Sequence, residues 1–238
     1  MTTSSGARGK QSAAGRLSRE LIIETALSQI DAQGLPSLSM RSLADLLGVE
    51  AMSLYRYVHG REDLLEGVVD ALLGDLVADL DEELAGHWQG FLQTLAHQVR
   101  RIAIDHPRAF PLVATRHPSA PWLRPPLRSV EVVDHFLKTL IDQGFNDEEA
   151  VHAYRSFTSF LLGLLLLESA TRGGETGPPD QTLDEGDADV PESDGRRGLG
   201  GAAEVRRLRP LLSEDRSDEE FEDALEDLLE RISREVSQ

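Results

Sequence analysis

The sequence predicts an all-α protein in which a small N-terminal three-helix domain precedes a larger helical domain. Apolar residues recur every three or four positions through most of the 238-residue chain, a spacing typical of amphipathic helices. The helical patterns are short and separated by glycine and proline in residues 17–61, and longer in residues 62–238. Residues 1–16 and 173–203 lack apolar periodicity, and we expect a disordered basic arm and a disordered acidic loop there.

Composition restricts the class of protein. The chain has no cysteine, which excludes disulfides and thiol catalysis, and no signal-like stretch opens it. The longest apolar run, Phe160 to Leu167, contains a glycine and is too short to span a bilayer. We therefore expect a cytoplasmic protein that does not contact a membrane.

Sequence motifs of catalysis and metal binding are missing. The chain has no Gly-x-Ser-x-Gly, no phosphate loop and no His-Glu-x-x-His motif. Its seven histidines never fall three or four positions apart, so no helix face offers a pair of metal ligands. We expect no enzyme activity and no cofactor, and a metal site only if its ligands are distant in sequence.

Charge is distributed unevenly between the two predicted domains. The net charge of −18 by itself disfavours binding to nucleic acid, because affinity for DNA comes largely from neutralising phosphates. Residues 1–61, however, carry seven Lys and Arg against five acids, so the remaining residues hold the excess of negative charge. This distribution would orient the protein on DNA with its N-terminal end inward.

The first predicted helix follows the basic arm. The arm carries Arg8, Lys10 and Arg16, so it is either a solvated tail or a segment that follows a DNA minor groove. Ser18 is a favourable N-cap for the helix, and Gly34 ends it. Its apolar face is formed by Leu21, Ile22, Ala26, Leu27 and Ile30.

Residues 39–61 predict two short helices joined by a tight glycine turn. Ser39 caps the first, which has an apolar face of Leu43, Leu46 and Leu47, and Gly48 ends it. The second is expected from about Ala51 to Val58, with Leu54 and Val58 inward and a hydroxyl-rich, aromatic and cationic face outward. This is the arrangement of a helix-turn-helix, whose second helix enters the DNA major groove.

These residues resemble a known family. They read Leu-Ser-x-Arg-x-Leu-Ala-x-x-Leu-Gly-Val and then Ser-Leu-Tyr-x-x-Val-x-x-Arg-Glu-x-Leu-Leu. The pattern closely resembles the DNA-binding domain of the tetracycline-repressor (TetR) family of bacterial transcription regulators. The resemblance implies a homodimer that binds double-stranded DNA, and two-fold symmetry then implies a near-palindromic operator.

The resemblance also implies roles for individual residues of this domain. Arg41 would bind a guanine, because a guanidinium can satisfy O6 and N7 together. Thymine methyls would be contacted by Ala51 and Met52, and a further base edge by Arg56. Phosphates would be bound by Ser53, Tyr55 and Tyr57. Arg61, where the family usually has lysine, would either meet a phosphate or cap the hinge.

Helical patterns continue through the second domain. The first, Glu62 to about Leu84, has a broad apolar stripe that touches both domains. In the family, the equivalent helix links a ligand pocket to the DNA-binding domain. A short basic turn is expected from Glu204 to near Pro210. The remaining helical segments are predicted at Trp88–Asp105, Arg108–Thr115, Leu127–Gln143, Asp147–Thr171 and Asp218–Val236.

The last two long helices predict a four-helix dimer interface. One is apolar nearly all round and the other has a full apolar stripe, which is more hydrophobic surface than a monomer of this size readily covers. They are similar to the two dimer helices of TetR-like regulatory domains. The predicted interface residues are Phe160, Gly163, Leu164, Phe221, Leu225, Leu228 and Ile232. The alternative is that both helices pack within one chain.

A ligand cavity is predicted between the helices of the second domain. Comparable residues line the pocket of the family, and here they are Leu95, Val99, Phe110, Val113, Trp122, Phe136 and Tyr154. Members that bind tetracycline with magnesium use a histidine in the segment that here reads Phe110-Pro-Leu-Val-Ala, and polar groups where Leu95 and Leu167 fall. These departures favour a small, largely hydrophobic effector over tetracycline with its metal.

The sequence therefore predicts a repressor that a small molecule releases from its operator. Two other functions stay open at this point. One is a DNA-binding regulator without an inducer, and the other is a helical module that binds protein through its hairpin.

Overall fold

The computed structural model of the protein describes residues 17–78, 87–174 and 202–236. Three predictions fall wholly or mostly outside the described residues: the basic arm, the end of the fourth helix at residues 79–84, and the acidic loop of residues 173–203. The residues that are described form helices, turns and loops without a strand, so the all-α prediction is confirmed.

The N-terminal domain consists of three helices packed on the start of a fourth. These are α1 (Arg19–Gln33), α2 (Met40–Leu47), α3 (Ala51–Leu54) and α4 (Arg61–Ala78), with a 3-10 turn at Leu35–Ser37. Their shared core is fully or almost fully buried and contains Ile22, Ala26, Ile30, Leu43, Leu54, Val58, Leu64 and Val68.

Side-chain caps set where α1 and α2 begin. The Ser18 hydroxyl accepts a hydrogen bond from the Leu21 N–H at 3.2 Å, and Ser39 and Ser42 form a reciprocal capping box. Gly48 ends α2 with φ of 67°, a left-handed conformation that glycine adopts without steric cost. Both predicted caps and the predicted glycine turn are confirmed.

Two details of this domain differ from the prediction. The regular part of α3 stops at Leu54 instead of Val58, and the chain continues as a turn in which the Tyr57 and Val58 N–H groups both donate to the Leu54 carbonyl. Leu46 is 58% exposed, because only Leu43 and Ala44 of α2 are buried in the domain core.

The second domain is a bundle around α7. Its helices are α5 (Trp88–Asp105), α6 (Val130–Asp142), α7 (Asp147–Thr171), α8 (Ala203–Leu212) and α9 (Ser217–Val236). Helices α5, α6 and α9 pack on α7, and α4 packs on α5 and α6. The segment predicted at residues 108–115 contains a 3-10 turn, Phe110–Leu112.

Two boundaries of this domain were predicted incorrectly. The predicted basic turn is the helix α8, which runs through Pro210 and ends two residues later, where Ser213 binds the Arg209 carbonyl. Helix α6 starts at Val130 and not at Leu127, because the Ser129 hydroxyl caps it by accepting from the Val132 N–H.

Part of the predicted dimer interface lies inside the protomer. Phe221, Leu225, Leu228 and Ile232 are at most 5% exposed, because the apolar stripe of α9 packs on α7 and α5 of the same chain. The buried Arg100 of α5 adds a polar link, since it binds Glu168 of α7 and Asp218 of α9 and stacks over the Phe221 ring. Phe221, Leu225 and Ile232 are therefore core of the protomer and not exposed interface residues as predicted, whereas Leu228 also lines a groove beside Phe160 on the outer side of α7 and α9.

Helix α7 is also the longest apolar element. Its 25 residues exceed the run of Phe160 to Leu167, and by length and composition alone it qualifies as a candidate membrane span. The length of α7 therefore does not exclude a membrane span, although the length of the apolar run alone had suggested that it did. Nine of its residues are buried against neighbouring helices, which is the environment of a core helix.

Candidate functional site

The outward side of α3 and of the turn after it carries most of the predicted DNA contacts. Met52 is 74% exposed and Tyr55 45%, and Arg56 and Tyr57 are exposed beside them. Ala51 and Ser53 are partly buried at the edge of this surface, and Arg41 is exposed at the start of α2. We call these seven residues the recognition face. The structure brings all seven to one domain, with fully buried Leu54 and Val58 holding α3 against the core.

Polar contacts fix the recognition face from behind. The Arg19 guanidinium donates to the Tyr57 carbonyl at 3.2 Å and to the Asp63 carboxylate at 2.7 Å. Asp63 also accepts from the His59 N–H at 2.7 Å. The bond from Arg19 lowers the pKa of the Asp63 carboxyl, so this anion stays charged at neutral pH. The turn that carries Tyr57 is thereby tied to both α1 and α4.

Arg61 serves the internal structure of the domain. Its guanidinium donates to the Leu38 carbonyl, just before the Ser39 cap of α2. Of the two roles predicted for Arg61, this contact favours the structural one, a cap that joins the start of α4 to the start of α2.

A small apolar cavity lies in the second domain. Its volume is about 40 Å³. Five of the seven predicted lining residues surround it, namely Leu95, Val99, Val113, Phe136 and Tyr154. The sequence did not point to the other wall residues, which are Leu73, Leu127, Val132, Val133, Phe157, Thr158, Leu161 and Leu162.

Two predicted cavity residues lie elsewhere. Trp122 is 73% exposed, because the proline-rich loop carries it to the surface. Phe110 is fully buried but is not part of the cavity wall, so it is core. Both predictions were based on residue type, which does not distinguish an aromatic residue of a pocket from one of a loop or core.

Tyr154 and Thr158 are the polar members of the cavity wall. The Tyr154 hydroxyl donates to the Pro125 carbonyl at 3.1 Å, and burial raises its pKa to about 12. Tyr154 therefore stays neutral at physiological pH. Its ring also meets Phe136 edge-on, with centroids 5.7 Å apart, so aromatic surface dominates this side of the cavity.

The cavity in this conformation is closed to a drug-sized molecule. A volume near 40 Å³ accommodates about one water molecule, whereas ligand pockets usually measure several hundred Å³. A molecule of that size would fit only if the wall moved outward. Leu73 belongs to α4, so the helix that carries the N-terminal domain is part of that wall.

Polar contacts also join the two domains. His106 Nδ1 lies 2.7 Å from the Asp31 carboxylate of α1, and Arg108 donates to the Asp31 and Ala32 carbonyls. Arg128, which precedes α6, binds Glu62 of α4 at 2.7 Å. The paired residues are at least 66 positions apart in the chain, and no local sequence signal could have found them.

Metal ligands do not gather in the described part of the chain. Within residues 17–78, 87–174 and 202–236, no group of three or more His, Asp or Glu is placed to hold an ion. The absence of a metal site stays a prediction for the whole protein.

Comparison with known proteins matches both domains. Residues 22–68 match the profile "Bacterial regulatory proteins, tetR family", and residues 81–235 match "Tetracyclin repressor-like, C-terminal domain". An HTH-type transcriptional regulator of Saccharopolyspora erythraea is 28% identical over 156 residues, which are 66% of this chain and 63% of that protein. The class E tetracycline repressor protein of Escherichia coli is 31% identical over 156 residues, 66% of this chain and 71% of that protein.

A solved structure shows the same fold. The Streptomyces coelicolor TetR family protein ActR in complex with actinorhodin superposes with a TM-score of 0.65 at 24% identity, covering 94% of this chain and 99% of that chain.

Proposed function

Because the chain belongs to the TetR family of bacterial regulatory proteins, we propose that it is a ligand-responsive transcriptional repressor that binds its operator as a homodimer. The family consists of DNA-binding regulators and not enzymes. The observation that carries the proposal is the recognition face, which exposes Met52, Tyr55 and Arg56 on a short helix whose opposite side is anchored in the core.

The recognition face has the chemistry that a major groove requires. Arg41 supplies the fork of donors that suits a guanine edge, and Ala51 and Met52 supply apolar contacts for thymine methyls. Ser53, Tyr55 and Tyr57 supply hydroxyl donors for phosphates. Because the protein as a whole carries a charge of −18, its affinity for DNA should be modest, and it should fall with salt in proportion to the number of phosphates that the recognition face contacts.

The outward side of α7 is the proposed centre of the dimer interface. Phe160, Gly163 and Leu164 are partly or fully exposed there, and Leu167 is 70% exposed one turn further. These four residues share one helix face by spacing, and a groove beside Phe160 is completed by Ala224, Asp227 and Arg231 of α9. A second copy related by a two-fold axis would cover this apolar strip, forming a four-helix interface with the outer side of α9.

The small size of the cavity supports release by an effector. A small hydrophobic molecule that enters must enlarge it, and α4 contributes Leu73 to the wall that moves. The ligand then favours an arrangement of α4, and of the domain on it, that fits DNA less well. Couplings of this kind change affinity by about 5- to 150-fold in typical allosteric proteins. In ActR, a protein of the same fold, actinorhodin is bound.

Selection of bound DNA tests the proposal. Purified protein is mixed at low salt with fragmented genomic DNA, and the retained fragments are sequenced and then challenged with a panel of hydrophobic aromatic compounds. We expect enrichment of a near-palindrome and its release by at least one compound. Enrichment without release would indicate a regulator without an inducer. Retention of no fragment above a shuffled control would contradict DNA binding and favour a protein-binding module.

A further inference from the structure

Resting on the proposed function, we infer that Arg128 is a positioning residue. Through it, a change in the volume of the cavity moves the first turn of α4, beside the DNA-binding domain. Its side chain is 5% exposed, and the guanidinium donates to the Glu62 carboxylate at 2.7 Å and to the Thr115 hydroxyl at 3.3 Å. Among the described residues, its buried Nε has no hydrogen-bond partner. A buried cation with an incomplete set of partners depends strongly on the one anion that it has.

The backbone of Arg128 is attached to the cavity wall. Leu127, the preceding residue, lines the cavity, and so does Val113. The Arg128 N–H donates to the Val113 carbonyl at 3.0 Å, which joins the two wall segments. Outward movement of either wall segment therefore displaces the backbone of Arg128, and its side chain moves with it.

The other end of this contact lies at the start of α4, directly after the DNA-binding domain. Glu62 is in the first turn of α4, and the neighbouring Arg61 binds the Leu38 carbonyl immediately before α2. Asp63, the next residue, binds Arg19 and the His59 N–H behind the recognition face. A displacement of Glu62 therefore reaches both α2 and the turn that carries Tyr57.

The contact differs in kind from the others between cavity and α4. Leu73 contributes apolar packing, which is non-directional and lets helices slide with little penalty. The Arg128–Glu62 pair has fixed donor and acceptor atoms, so it transmits a change of position. On α4, His117 lies 3.8 Å from Glu66, a longer contact one turn away. Movement of the cavity wall is thereby passed to the first turn of α4 through Arg128.

A filled cavity can replace the unidentified effector in the test. Val99→Phe adds a ring at the wall of a cavity of about 40 Å³ and forces it to expand. Val151→Phe adds the same volume at a valine that is 36% exposed on α7, and is the matched control. Each change is made in the wild-type protein and in Glu62→Gln, which removes the anion but keeps a carbonyl oxygen that can accept from Arg128. Circular dichroism checks that this background is folded.

Affinity for the selected operator is measured by fluorescence anisotropy, and each variant is compared with its own background. We expect Val99→Phe to weaken operator binding by about 5- to 150-fold in the wild-type background. In the Glu62→Gln background, the logarithm of this factor should be less than half as large. Arg128→Met should reproduce the effect of Glu62→Gln, provided that circular dichroism shows a folded protein. Glu20→Gln removes one charge from the first turn of α1 and should leave the response to Val99→Phe intact.

Two outcomes overturn the inference. They distinguish failure of the role of Arg128 from failure of the coupling between cavity and DNA binding. Equal weakening by Val99→Phe in the wild-type and Glu62→Gln backgrounds would show that the cavity controls DNA binding by a route without Arg128. If a folded Val99→Phe protein binds the operator as tightly as Val151→Phe does, the cavity is not coupled to DNA. Ligand-responsive release, and with it the role of Arg128, would then be contradicted.

Discussion

Directional hydrogen bonds supplement the apolar core of the N-terminal domain, whereas the cavity region of the second domain depends almost entirely on apolar packing. Behind the recognition face, the positions of α1, α2 and α4 are fixed by directional bonds. The buried Gln29 amide donates to the Ser37 carbonyl at 2.9 Å and to the Ser42 hydroxyl at 3.0 Å, and Arg19 bridges the Tyr57 turn to Asp63. The cavity is surrounded almost entirely by aliphatic and aromatic side chains.

This difference separates the two tasks of the protein. Hydrogen bonds have preferred distances and angles, so they keep the recognition face in one geometry, as the proposed reading of base edges requires. Apolar contacts have no preferred direction, so side chains around the cavity can repack when a molecule enters. We therefore expect the N-terminal domain to move as a unit and the second domain to change its internal packing.

The largest expected effect is the difference in DNA affinity between equal leucine-to-alanine truncations in the two regions. Leu54→Ala removes a fully buried side chain beneath the recognition face and should destabilise its domain by about 2–5 kcal/mol, with loss of operator binding. Leu162→Ala enlarges a cavity that already exists and should lower the melting temperature while leaving DNA affinity nearly unchanged. Thermal unfolding and anisotropy measure both. Equal losses of DNA affinity would refute the distinction.

Arg41→Ala should have the next largest effect. Loss of a bidentate contact to a guanine removes about 1–3 kcal/mol of discrimination at one base pair, and binding to random DNA changes less. The measurement is the affinity for the operator and for its single-base variants. If affinity for operator and random DNA falls by the same factor, Arg41 does not read a base.

A smaller effect is expected from removing one hydroxyl from each region. Tyr55→Phe removes the proposed phosphate donor and should weaken every DNA sequence alike, by about 1 kcal/mol. Tyr154→Phe leaves the Pro125 carbonyl without its donor and should lower stability by a similar amount without changing DNA affinity. A sequence-dependent loss for Tyr55→Phe would assign that hydroxyl to a base.

The smallest effect concerns pH. The pKa of Asp63 is lowered by its bond to Arg19, so the pair stabilises the domain above the unfolded pKa near 4 and loses this contribution as pH falls through the folded value. Since both side chains are partly exposed, the contribution is about 0.2–1 kcal/mol.

Urea unfolding at two pH values measures this contribution. Asp63→Asn should be less stable than wild type at pH 7, and the difference should shrink at pH 3. Asp142→Asn, at an exposed pair with Lys138 in the second domain, is the matched control and should change stability less. A difference for Asp63→Asn that persists unchanged at pH 3 would show that its origin is not the charge.

Local sequence signals account for the parts of the fold that were predicted correctly. The caps and the glycine turn could be predicted directly, because each depends on hydrogen bonds to residues at most four positions away. They are formed by Ser18, Ser39 and Gly48. The apolar stripe of α9 was also read correctly, but periodicity shows only that a face is buried and not whether its own chain or a partner covers it. For that reason Phe221 and Leu225 were assigned to the wrong surface.

The candidate sites were predictable to different degrees. Exposure on a short helix follows from local pattern, so the recognition face lies on the surface as expected. The cavity depends on how distant helices meet, and the position of Trp122 depends on the path of a proline-rich loop. The Arg128–Glu62 pair joins residues 66 positions apart and left no pattern in the sequence.

The most direct test of DNA recognition by a symmetric dimer is sedimentation equilibrium of the protein with one selected duplex at low salt. We expect two protomers on each near-palindromic duplex, and markedly weaker binding when one half-site is scrambled. A single protomer on the intact duplex, or equal binding to the intact and scrambled duplexes, would contradict recognition by two paired faces.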